Sequence, residues 1–323
     1  MHLPVSTTAT SRAWARKGAQ ASGDREPARP IQRRAHRIRW QPAWLFMAPS
    51  LAILGVFVLW PILVSFWYSL HDWTVGASTE PWVGFGNYVT LFHDPQFWNA
   101  LGNTLEFTVA TVVILVVLGF LAALALMRDG MVNRVVRSVF FFPTVVSLTS
   151  IGLVWRFLLD PNIGLVGGIT QLFGAAPVGW LQSTHLALPT IIFVDIWKNV
   201  GFVMIIFLSG LKAVPAERYE AGQLDGASRS QLVRYVTIPG IRPTLLFATM
   251  ILTIQSLQVF DLVYVMTDSG PIFSTDTLVT MIFRDGFVNF QTGYAAAISW
   301  VLFVVIMAIS AVLLRFFRYN DVD

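Results

Sequence analysis

The chain has no cysteine in its 323 residues, and it is poor in charge, with Asp, Glu, Lys and Arg making up only 12%. Without cysteine there is neither a disulfide framework nor a thiolate metal site. The five histidines (His2, His36, His71, His93 and His185) are scattered, and nothing in their spacing suggests a pair of metal ligands. No Gly-x-x-x-x-Gly-Lys-Ser/Thr phosphate loop occurs, so nucleotide is not bound here by that device. Soluble domains carry about 25% charged residues. Half that share, beside 55% hydrophobic residues, points to a lipid environment.

What is present is a set of six apolar runs: Trp44–Leu70, Asn103–Met127, Val139–Leu159, Leu186–Leu211, Pro243–Met266 and Tyr294–Phe317. Each has the roughly 20 residues that cross about 30 Å of hydrocarbon. Prolines and glycines interrupt several of them, which membrane helices tolerate. One such run could be the core helix of a large soluble protein, but six in a chain of this length cannot all be. The expected fold is all-α, a polytopic membrane protein with six transmembrane helices over residues 41–320. Residues 1–40 are polar, rich in Arg, Ala, Ser and Pro, and aperiodic, which predicts a disordered basic tail. The apolar stretch that follows is too long for the core of a signal peptide.

Lys and Arg alternate between the segments joining these runs. Nineteen of the 22 fall in the tail, the second and fourth interspan segments and the C-terminus, whereas the first, third and fifth segments together hold only Arg284. Positive charge stays on the cytoplasmic side, so both termini are expected in the cytoplasm. The first outer segment carries Trp73, Trp82, Phe85, Tyr88, Phe92, Phe97 and Trp98. Such rings favour the membrane–water boundary, and a short helix from Asn87 to about Asn99 is predicted there.

The longest inner segment, residues 212–242, is predicted to hold two short helices. Pro215 suits the opening of the first, which stops near Gly226. Ser228, followed three residues later by Gln231, fits a capping box that opens the second, expected to end before Pro239. Connections between helices are usually a few residues long. This one holds more structure than a connection requires and offers a firm knob to a partner.

Within it, Glu220, Ala221, Gly222, Gly226, Val236, Ile238 and Pro239 fall on the spacing of the EAA signature of ABC importer permeases. Gly222 stands where the signature has a second Ala, and Ile238 where it has Leu. GFGNYVTLF at 84–92, DIWKNVGF at 195–202, LDGAS at 224–228 and SGPIFSTDTL at 269–278 also resemble the carbohydrate-uptake branch, so the likeness covers about residues 44–317. The resemblance implies the type I importer permease fold in the cytoplasmic (inner) membrane. It also implies a second permease subunit, favoured as a paralogue, two ATP-binding-cassette ATPase subunits that bind ATP and Mg, and an extracytoplasmic solute-binding protein. No cofactor, catalytic residue or nucleic acid is implied for this chain itself. In the family the first helix of the signature docks in a cleft of the ATPase. Carried over, Glu220, Ala221, Gly222, Asp225, Gly226 and Pro239 would form the coupling contact.

Ionisable residues inside a bilayer are costly and mark paths or pairings. Asp195 and Lys198, three apart on the fourth span, are expected to pair, with Asn199 beside them. Gln255, Gln258 and Asp261 recur every three residues on the fifth span as a drifting polar stripe, with Tyr264 beyond, and Glu106 lies near the outer end of the second span. Asp195, Asn199, Gln255, Gln258, Asp261 and Tyr264 either line a hydrated path for a sugar-like solute or bridge helices within the bundle or to a partner. A gradient-driven transporter would need an inverted repeat of spans, and none is detectable. A membrane enzyme would need clustered acids or a metal site, and no such cluster occurs.

Overall fold

The computed structural model describes residues 40–77 and 79–319. The sequence-predicted tail, residues 1–40, lies almost wholly outside the described residues. Among these, all regular structure is helical apart from a single antiparallel bridge between His71 and Trp82.

Contacts divide the chain at Phe57 into two units. The described part of the first is α1 (Trp40–Leu54), an apolar helix with Pro49 inside it, and the start of a π turn that spans Gly55–Leu59. The second holds α2 (Trp60–Ser69), α3 (Gly86–His93), α4 (Pro95–Ala125), α5 (Met131–Val145), α6 (Leu148–Leu158), α7 (Leu165–Leu172) and α8 (Ala187–Ala213). There follow the short α9 (Ala216–Leu224), α10 (Arg229–Leu232) and α11 (Ile238–Gly240), then α12 (Arg242–Leu257), α13 (Asp261–Thr267), α14 (Leu278–Phe283) and α15 (Thr292–Tyr319).

Among the described residues, four helices are long and apolar enough to cross a membrane unaided: Phe46–Ser69, α4, α8 and Thr292–Phe317 within α15. Two bent pairs bring the number to six if each is one crossing: α5 with α6, bent by 96°, and the run Arg229–Gly240 with α12, bent by 69°. The expected third and fifth spans are therefore not single straight helices. The third breaks at Val146 and Ser147, both extended. Just upstream, Pro143 has no N–H to give and its ring crowds the carbonyl one turn back, so the ladder is weakest there. The fifth ends at Leu257 and resumes as α13 after a break at Gln258–Phe260.

The second span also begins earlier than its hydrophobicity indicates. The predicted boundary helix from Asn87 to Asn99 is two elements, α3 and the first turn of α4. Asp94 separates them, its carboxylate accepting from the Gln96 N–H at 2.8 Å, with Pro95 in the first turn. An N-cap followed by proline starts a helix whatever the polarity of the next residues. Glu106 is exposed and lies eleven residues inside α4, deeper than expected.

Small and hydroxylated residues set the packing. One face of α4 buries Ala100, Thr104, Thr108, Thr111, Leu115 and Gly119, while Val109, Val113, Val117 and Leu121 stay exposed. Thr104 and Thr108 return their hydroxyls to the carbonyls four residues back, each at 2.7 Å, so the buried face holds no free donor at those two positions. α8 packs against α4, α5 and α12. A Cβ on Gly201 would run into the Phe140 carbonyl, and one on Gly210 would lie 2.5 Å from Thr244 Oγ1. In lipid, where no hydrophobic force drives helices together, close approach of this kind is what holds a bundle.

Candidate translocation cavity and coupling loop

The break between α12 and α13 opens onto a cavity of 340 Å³. Its walls carry Asp195, Lys198 and Asn199 from α8, and Gln255, Gln258 and Asp261 from around the break, with Phe107, Phe260 and Leu252 supplying apolar surface. Five of the six sequence-predicted path residues thus meet in one place, and Tyr264 lines a separate cavity.

The local chain explains the convergence. Positions 195, 198 and 199 are three and four apart, hence on one face of a helix. On a continuous helix, residues spaced by three would drift round the axis. Here Gln258 caps the end of α12, its backbone N–H bonding the Gln255 carbonyl at 3.2 Å, and Phe260 leaves helical geometry at φ −136, ψ −60. The stripe is thereby folded back onto the cavity, correcting the expectation of a drift. Gln255, Gln258 and Asp261 are exposed. Irregular backbone is tolerated at membrane depth only where protein buries it or where it lines a water-filled cavity.

The expected Asp195–Lys198 ion pair does not form. Asp195 Oδ1 instead accepts from Asn199 Nδ2 at 2.9 Å, one full turn along the helix. Lys198 makes no ion pair among the described residues, while its backbone carbonyl accepts from Thr144 Oγ1 at 3.1 Å and ties α8 to α5. The two charges share the wall without cancelling at contact distance, so a polar solute meets both donors and acceptors there.

Beyond the break, the segment 268–285 is held by polar contacts to α4. Asn99 and Asn103 donate to the carbonyls of Phe273 and Asp276 at 2.7 and 2.9 Å, and the Leu278 N–H donates to Thr104 Oγ1 at 3.0 Å. Buried Asp276 takes both the Thr280 hydroxyl and Arg284 Nη1, each at 2.7 Å. Burial pushes the neighbouring Asp285 carboxyl above its ordinary range, and Asn289 partly offsets this by donating at 2.9 Å. No hydrophobic periodicity announces this knot. The alternation of Thr, Asp and Arg in TDTLVTMIFRD was its only sequence signal.

The local structure of the loop 212–242 follows its sequence reading up to Pro239. Ser228 and Gln231 form the predicted capping box, with the Ser228 N–H donating to Gln231 Oε1 at 2.7 Å. Gly226, at φ +79, closes the first helix in a conformation that costs other residues a steric penalty. The second helix runs on through Pro239 instead of stopping before it. A π turn at Val233–Thr237 absorbs the missing N–H, and α11 follows. Tyr219 donates to Thr237 Oγ1 at 3.2 Å and bolts the two helices together. A Cβ on Gly222 would come within 2.7 Å of the tip of Leu232, so this position is the contact between them. Glu220, Ala221, Asp225 and Pro239 are exposed. So is Leu224, at 89%, which the signature does not single out although an apolar side chain bare on a helix end is a natural anchor. At the loop's root, Lys212 pairs with Asp129 at 3.1 Å and holds that carboxyl below the usual range. Arg137 reaches the same Asp129 at 3.8 Å.

The sequence model of the family described as binding-protein-dependent transport system inner membrane component matches residues 115–321. The trehalose/maltose transport system permease protein MalF of Thermococcus litoralis is 31% identical over 278 residues, covering 86% of this chain and 94% of that protein. The lactose transport system permease protein LacF of Rhizobium radiobacter is 34% identical over 273 residues, covering 83% and 91%. Among solved structures, a chain of a bacterial ABC transporter involved in import of the acidic polysaccharide alginate superposes with a TM-score of 0.75 at 26% identity, covering 87% of this chain and 97% of that one.

Proposed function

Because the chain belongs to the family of binding-protein-dependent transport system inner membrane components, and so is a multi-pass permease subunit of an ABC importer, we propose that its 340 Å³ cavity is one half of the path for a neutral sugar. The observation that carries this reading is the helix break at membrane depth, whose polar wall of amides and carboxylates suits hydroxyl groups. Two carboxylates face one ammonium there, a balance that does not favour an anion. Relatives named for trehalose, maltose and lactose support the same solute class.

The remaining assignments follow from that frame. Glu106, Gln255, Gln258 and Asp261 are exposed on this chain, and charged or amide groups are too costly to leave facing lipid. A second permease, a paralogue of this one, and the water of the shared path cover them. Both termini lie in the cytoplasm, by the distribution of Lys and Arg. The loop 212–242 then faces two ATPase subunits that bind ATP and Mg, with Glu220, Leu224 and Asp225 forming the contact, and a solute-binding protein delivers from the other side. The chain itself performs no catalysis. Replacing the exposed acid tests the coupling assignment. Glu220→Lys should abolish uptake of labelled maltose while the protein reaches the membrane in normal amount. Uptake at the unaltered rate would remove Glu220 from the ATPase contact.

A further inference from the structure

A second cavity, of 430 Å³, lies beyond the break and is lined by Tyr264, Asp268, Phe273, Thr280, Phe283 and Arg284. Sites for small molecules span about 300–1,000 Å³ and combine apolar walls with a few placed polar groups. This cavity has that make-up, with three aromatic rings, one acid, one guanidinium and the hydroxyls of Ser269 and Thr280.

Its groups are fixed in place. Arg284 is gripped by Asp276 at 2.7 Å and lies over the Phe273 ring at 4.8 Å from the centroid, so the planar cation is presented in one orientation. Asp268, Ser269 and Phe273 all adopt positive φ (51°, 65° and 58°), a conformation that costs non-glycine residues energy and is retained where the surroundings impose it. The rings also join this cavity to the first one. Phe260, in the wall of the translocation cavity, stacks on Tyr264 at 5.2 Å and 14°. Tyr264 meets Phe283 edge-on at 5.2 Å, and Phe283 stacks on Phe287 at 5.7 Å. Tyr264 and Phe273 are each about two-fifths exposed, unlike aromatic rings that only fill a core.

We propose that this aromatic cavity is a second sugar-binding station, on the outer side of the translocation cavity, where a sugar ring rests its C–H face on Tyr264 and Phe283 and bonds its hydroxyls to Asp268 and Arg284. The inference rests on the reading of the solute as a neutral sugar. A pyranose has an apolar face and a polar rim, and stacked aromatics beside planar charged groups match both. The shared Phe260–Tyr264 stack gives the ring a continuous aromatic surface from one cavity to the next. Such a station accounts for Tyr264, the one predicted path residue that the first cavity leaves out.

The test is initial-rate uptake of a panel of radiolabelled neutral mono-, di- and trisaccharides by the whole importer with its binding protein, at a series of concentrations. Aromatic contacts of this kind are worth a factor of roughly 2 to 12 in an equilibrium constant. Tyr264→Leu and Phe283→Leu, which keep apolar volume but lose the ring face, should lower Vmax/KM roughly 2- to 12-fold for the transported sugar on that basis. Tyr264→Phe, which keeps the ring face, should fall less than Tyr264→Leu, and all three variants should reach the membrane in equal amount. Unchanged Vmax/KM in both Leu variants, or an equal fall in Tyr264→Phe, would overturn the station while leaving the first cavity in place. Uptake of none of the panel by the unaltered importer would overturn the sugar reading, and this inference with it.

Discussion

At the scale of single residues, the polar groups of the first cavity matter for where the chain breaks more than for what they are. Gln258 would be an ordinary amide on a continuous helix, but as the first residue of the break it presents its side chain beside Asp261 and across from α8. A neutral hydrogen bond contributes about 0.5–1.5 kcal/mol net, which is a factor of roughly 2 to 12. Gln258→Ala should therefore slow sugar uptake by a few-fold, about what one or two such bonds supply, while the subunit co-purifies with its partners undiminished. Loss of assembly instead would make Gln258 a helix bridge. Asp195 illustrates a different point. Sequence spacing offered Lys198 as its partner, but the shorter Asn199, one turn on, holds the carboxylate. Reach on a helix surface depends on side-chain length and direction as well as on spacing.

At the scale of elements, the loop 212–242 gains its rigidity from backbone satisfaction in place of burial. No side chain of α9 is fully buried, and the capping box, Gly226 and the Tyr219–Thr237 bond hold its two halves. Removing a serine cap costs about 1 kcal/mol. Ser228→Ala should open the segment 225–232 to limited proteolysis several-fold faster, roughly as that energy dictates, and reduce uptake partway. Cleavage at the unaltered rate would mean that the cap does not stiffen the loop.

The same elements show what was legible in the sequence. Caps, prolines and glycines act locally, so Pro215, Gly226 and the Ser228–Gln231 box could be read directly. Hydrophobic runs likewise located the spans. Their interruptions could not be read in this way. Pro143 is one of several prolines in apolar segments, and whether such a residue bends a helix or breaks it by 96° depends on what fills the gap, here Thr144 bonding across to α8. The start of α4 was misplaced because hydropathy weighed Pro95–Gly102 as too polar, whereas the Asp94 cap set the boundary. The knot around Asp276 pairs residues with partners more than 170 positions away, a separation that no local pattern encodes.

At the scale of the whole molecule, the chain is incomplete by its own chemistry. It exposes carboxylates and amides on segments of membrane depth, presents a bare leucine on a capped helical knob, and has no phosphate loop to supply energy. On the proposed reading each feature has its own neighbour: a second permease for the polar face, an ATPase for the knob, and a delivering protein for the solute. The most direct measurement is purification of the chain from its membrane in mild detergent, with the co-purifying proteins identified and their ATPase activity assayed. The expected result is a complex with a second multi-span permease and a phosphate-loop ATPase, whose activity rises when a neutral sugar and the solute-binding protein are added. A chain that purifies alone and without ATPase, from a preparation in which other importers stay intact, would contradict the account.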